Sequence, residues 1–143
     1  MTIVIYFDKE LEENQFGDEI DRLEKRLINA GYQCYRQPYD DWKQFGYNRK
    51  NVHADGYVFT PGGTHARRKL EKHWMHKYKT NHKLPIVLYD CGEDFDDIAL
   101  LWLKWCFDND LKPGQLPNWY SITTSVHETI GVLSVLQEKG NDA

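Results

Sequence analysis

Residues 55–74 read DGYVFTPGGTHARRKLEKHW, and the fold is decided by how this stretch is parsed. Asp55 to Thr60 is a short aromatic and β-branched run, the composition of a strand. Pro61-Gly62-Gly63 breaks that strand, and residues 64 to about 80 then have the length and composition of a helix. A strand that feeds a helix through a glycine turn is the first half of a strand–helix–strand unit, and its second strand must lie parallel to the first.

The same alternation extends to both sides. Thr2 to Phe7 reads as a strand, and Phe16, Ile20, Leu23 and Leu27 then recur at helical spacing up to Gly31, a helix stop. Tyr32 to Gln37 is a weaker strand, and Pro38 to Asn51 is aromatic without a clean period, a loop or short helix. Downstream, Leu84 to Tyr89 is a strand, about 96 to 109 a helix, Tyr120 to Thr123 a strand, and Val126 to Glu138 a helix capped by Ser125. Five strands alternating with helices predict a parallel α/β sheet in one domain spanning residues 1–143, with no internal repeat and no linker.

Composition narrows the function classes. The chain has 143 residues and a formal charge of -4, which argues against a nucleic-acid partner. Charge is unevenly placed, however: residues 8–24 and 90–97 are mostly acidic and 65–83 mostly basic, so one surface is expected to be locally positive. Three cysteines without C-x-x-C spacing suggest neither a disulfide framework nor a zinc site. No apolar run has the length of a membrane span, and MTIVIYFDKE is unlike a signal peptide, so the expectation is a cytoplasmic protein with no membrane partner.

In parallel α/β sheets ligands bind beyond the carboxyl ends of the strands. Gly62 and Gly63 therefore stand where a backbone can approach a ligand closely, and Thr64 and His65 add hydrogen-bonding side chains. Arg67, Arg68 and Lys69 follow in the first helical turn, where each cation is unfavourable by about 0.3–1 kcal/mol. Their presence there points to an anionic ligand.

Arg49-Lys50, then Ala54-Asp55, a strand, Pro61-Gly62-Gly63 and a helix together resemble the Lonely Guy, or lysine-decarboxylase-like, family of Rossmann-type nucleotide binders. The similarity spans roughly residues 49–136 and includes LPIVLYD, the helix FDDIALLWLKWCFDNDL and the strand around YSITTS. It implies a single Rossmann-like parallel sheet of about five strands with helices on both faces, a nucleoside 5′-monophosphate site at the strand ends with Arg49 and Lys50 beside it, and a homodimer. It also implies cleavage of the base from the ribose phosphate by an arginine, for which Arg49 is the candidate, and a glutamate. Here the family pattern PGGxGTxxE is altered: His65-Ala66 replaces Gly-Thr and Lys69 replaces the glutamate. Glu71 and Asp8 are the remaining carboxylate candidates, and the glycine-rich phosphate loop expected after the first strand is replaced by FDKELEENQFGDE.

Other clusters carry less. His73 and His76 lack a third ligand at useful spacing and are expected on a solvated helix face, and Asp94, Asp96 and Asp97 sit where acids stabilise a helix start. Tyr35, Tyr39, Trp42, Phe45 and Tyr47 precede Arg49 and are candidates for a wall that stacks a base. Residues 98–107 are apolar nearly all round, which suits burial by the sheet on one side and, on the other, either a second copy of the chain or ordinary core packing. The resulting expectation is a protein that binds a phosphate-bearing, nucleotide-derived small molecule at the PGG turn, with sequestration of a signalling nucleotide as its most specific form. No cofactor is implied. The alternative is a nucleotide N-glycoside hydrolase or deoxyribosyltransferase.

Overall fold

The structure, a computed structural model, describes residues 1–11, 16–39, 54–80, 84–91, 95–112 and 120–141. Its sheet has five parallel strands: β1 (Thr2–Phe7), β2 (Gln33–Pro38), β3 (Gly56–Phe59), β4 (Ile86–Tyr89) and β5 (Ser121–Thr123). The main helices are α1 (Gly17–Asn29), α2 (Gly63–Thr80), α3 (Ile98–Asp108) and α4 (Val126–Asn141), with one helical turn at Lys9–Leu11. Strand order is β2-β1-β3-β4-β5, the flavodoxin-like order of doubly wound sheets.

Strand alternation sends successive side chains to opposite faces and so divides the core in two. Ile3, Ile5, Val58, Val87 and Tyr89 meet α1 through Ile20, Leu23 and Leu27, and α4 through Val126 and Leu133. Val4, Tyr6, Phe59, Ile86 and Leu88 meet α2 through Ala66, Leu70 and Trp74, and α3 through Ile98, Trp102, Trp105 and Cys106. Helices therefore cover both faces.

The helix ends follow local chemistry. Gly31 takes φ 98° just after α1, a backbone state that side-chain-bearing residues rarely adopt. Ser125 Oγ accepts the Glu128 amide at 3.1 Å and caps α4. α3 is buried on one side only. Trp102 and Trp105 pack on Trp74, whereas Leu100, Leu103 and Phe107 are 70%, 50% and 85% exposed. Among the described residues, no helix is long and apolar enough to cross a membrane.

Candidate functional site at the carboxyl edge of the sheet

The strand order makes the carboxyl ends of β1 and β3 the point where the winding reverses. β1 leads through α1 on one face to β2, and β3 leads through α2 on the other face to β4. Two adjacent chains that leave the sheet in opposite directions open a crevice between them. Asp8 directly follows β1, and the segment Thr60–Gly63 directly follows β3, so both open into that crevice.

The turn is braced from below. The Thr60 amide and hydroxyl both donate to the Tyr6 carbonyl, at 3.1 and 2.7 Å, and the Tyr39 hydroxyl donates to the Thr60 carbonyl. The Tyr39 ring occupies the space beside Gly62: a Cβ there would stand 2.5 Å from Cε2 of the ring. Glycine at 62 thus serves a close approach, and its partner is the protein's own aromatic ring. Gly63 is different. It takes φ 54° and nothing lies within 4 Å of where its Cβ would be, so the chain turns left-handed into open space.

Thr64, His65 and Arg68 are exposed around Gly63. His65 Nδ1 lies 3.4 Å from Asp8 Oδ2, which joins the ends of β1 and β3 across the crevice. Arg67 pairs with Asp97 at the start of α3, and that hydrogen bond and charge hold the Asp97 carboxyl below its usual pKa. Of Arg67, Arg68 and Lys69, Arg68 therefore stands as the exposed cation.

Lys69 is only 3% exposed, and its Nζ lies 5.5 Å from the centroid of the Tyr6 ring. The inward stripe of Ala66, Leu70 and Trp74 carries Lys69 and His73 along its margins, so both are drawn towards the core. His73 accordingly is not on a solvated face: its Nε2 is 2.8 Å from the Tyr6 hydroxyl. Glu71 lies about 12 Å along the helix axis from Gly63, given 1.5 Å of rise per residue, so of the candidate carboxylates the fold brings Asp8 alone to the turn. Tyr39 faces the core and is 4% exposed, while Tyr35 is 49% exposed on β2, one of the two edge strands. Arg49, Lys50, Trp42, Phe45, Tyr47 and Asp94 lie outside the described residues. Among the described residues no group of three metal-ligating side chains converges.

A second concavity, absent from the sequence reading, lies beyond β4 and β5 on the face of α1 and α4. It is a cleft of about 390 Å³. Glu19, Arg22 and Arg26 line it from α1; Tyr89, Asp90 and Cys91 line it from the end of β4; residues 124–127 close it. Glu19 accepts hydrogen bonds from the Tyr89 hydroxyl at 2.8 Å and from Arg22 at 2.6 Å. Burial, followed by the Glu19 carboxylate, pushes the Tyr89 hydroxyl above its usual pKa. The one signal in the sequence was the i,i+4 pair Arg22 and Arg26, and nothing there joined it to segments more than sixty residues away.

No family model matches the chain, and no curated protein matches it in sequence. Among solved structures, it is similar to the receiver domain of the Francisella response regulator 1452, with a TM-score of 0.59 and 12% identity over 97% of this chain and 98% of that one. At that identity the likeness concerns the fold alone. It agrees with a five-strand parallel sheet covered on both faces.

Proposed function

We propose that the chain binds a phosphate-bearing, nucleotide-derived small molecule at the turn after β3, with the phosphate against Gly63, Thr64, His65 and Arg68. The observation that carries this reading is the position of Gly63, left-handed and open, at the winding reversal of the sheet. Gly63 carries no Cβ to screen an approaching ligand, and Arg68 supplies a full, exposed charge in the early turns of α2. The resemblance of the surrounding sequence to nucleotide-binding proteins of the Lonely Guy family points the same way, and sequestration of a signalling nucleotide is its most specific form. Calorimetric titration with adenosine 5′-monophosphate tests it. Wild type should bind saturably, and Arg68→Glu should bind at least about tenfold more weakly, a difference of about 1.4 kcal/mol. Equal affinity in the two proteins would sink the assignment.

A catalytic alternative rests on Asp8. A carboxylate held against an imidazole at 3.4 Å, at the strand ends, is a group that can stabilise oxocarbenium-like charge on a ribose. Free base released from nucleoside monophosphates, and lost in Asp8→Asn, would make the chain an N-glycoside hydrolase or transferase rather than a binding protein.

Self-association belongs to the same reading. Leu100, Leu103 and Phe107 are spaced by three and four residues, the seam of two paired helices, and they lie opposite the Trp102 and Trp105 face. A second copy packed antiparallel along α3 would cover them. Sedimentation equilibrium should give about twice the chain mass of 17.0 kDa for wild type and a monomer for Leu103→Glu. A wild-type monomer at millimolar concentration would refute the pairing.

A further inference from the structure

We propose that the cleft beyond β4 and β5 is a second ligand site, independent of the turn, which takes a small phosphate monoester between Arg26 and His127. The Glu19 carboxylate is already held by Tyr89 and Arg22, and Asp90 Oδ1 accepts the Phe95 amide at 3.4 Å. The acids of the cleft are thus engaged within the protein. Among the described residues, the side chains of Arg26, Thr124 and His127 form no hydrogen bond or ion pair, and all three line the same cleft. What the cleft offers a visitor is therefore a guanidinium, a hydroxyl and an imidazole.

Geometry selects among acceptors. A planar carboxylate would satisfy one guanidinium through two parallel bonds and leave the groups of the second element without a partner. Arg26 comes from α1, whereas Thr124 and His127 come from the turn into α4, so the groups are carried by two separate elements. A tetrahedral phosphate has oxygens enough to engage groups of both elements. Arg22 lies one turn from Arg26 on the same helix face and adds positive charge while remaining bound to Glu19. The volume of about 390 Å³ lies within the usual range for small-molecule sites of roughly 300–1,000 Å³ and admits a sugar-sized ester.

The cleft and the turn share no residue and lie on helices of opposite faces, so either can fail without the other. The test is chemical-shift mapping of the whole chain during titration with inorganic phosphate and then ribose 5-phosphate at constant ionic strength. The Thr124 and His127 amides report the cleft, and Gly63 and His65 report the turn. Saturable shifts at Thr124 and His127 are expected, with binding weakened at least about tenfold in both Arg26→Glu and His127→Ala. Arg26 is exposed on α1, so the first substitution should leave the spectrum otherwise folded. Unmoved Thr124 and His127 signals would overturn the cleft site, as would undiminished binding in the two variants. Shifts confined to Gly63 and His65 would also overturn it, and would leave the reading of the turn intact.

Discussion

The turn after β3 and the cleft beyond β5 lie on the same edge of one sheet, yet they were assembled in opposite ways. The turn is contiguous: glycines, hydroxyl, imidazole and cations follow one another in eight residues. The cleft draws on α1, the end of β4 and the start of α4, segments up to about a hundred residues apart. Contiguity overstated the first and concealed the second. Of the three cations grouped after the turn, Lys69 is buried and Arg67 is paired with Asp97, which leaves Arg68 as the exposed one. The lesson is that a row of like residues on a helix is distributed around it, so adjacency in sequence becomes divergence in space.

The sharpest way to break this comparison is at the two glycines. Gly62→Ala should destabilise by about 2–3 kcal/mol, because the new methyl meets a Tyr39 ring that is 4% exposed and tethered by its hydroxyl to Thr60. Urea denaturation measures it, and a loss below about 0.5 kcal/mol would show that the ring is free to move aside. Gly63→Ala should cost less, about 1 kcal/mol, since only its backbone state is strained and no atom lies near the added methyl. An equal cost at both positions would contradict the distinction between a glycine packed by the protein and a glycine facing outward.

A smaller effect concerns Lys77, on the far portion of α2. Burial lowers its pKa from 10.5 to about 8, while Nζ donates to the Leu84 carbonyl at 3.1 Å. Below about 8 the side chain is charged in both folded and unfolded chains, and the full desolvation penalty weakens the fold. Between about 8 and 10.5 the unfolded chain holds more protons than the folded one, so this contribution to stability rises with pH. Lys77→Gln should therefore be more stable than wild type at pH 7 by about 1 kcal/mol, with the advantage gone near pH 10.5. A difference that does not change across that window would contradict the sign. Cys34 should show the smallest response: burial, then Glu24, raises its thiol to about 11, so alkylation at pH 8 should be slower than that of a free thiol.

How much of this was legible in the sequence follows from which interactions are local. The five strands and the helices between them were readable, because β-branched runs, glycine stops and the Phe16–Ile20–Leu23–Leu27 spacing are local signals. The direction of Lys69 and His73 was also available, since Ala66, Leu70 and Trp74 mark the buried stripe and place both beside it. It was outweighed by the charge and polarity of the residues themselves. The half-exposed state of α3 was not legible, because an all-round apolar helix gives no phase to say which side meets the sheet. Nor was the approach of Tyr39 to Gly62, a contact between the ends of different strands that no local pattern encodes.

The central claim is that the open, left-handed turn at the winding reversal binds a nucleotide phosphate, and the amide of Gly63 reports on it most directly. Titration of the isotopically labelled chain with adenosine 5′-monophosphate should move the Gly63 and His65 amides saturably in wild type and at least about tenfold less readily in Arg68→Glu. Gly63 and His65 amides that stay in place while the nucleotide binds elsewhere, or that respond equally in the variant, would contradict the account.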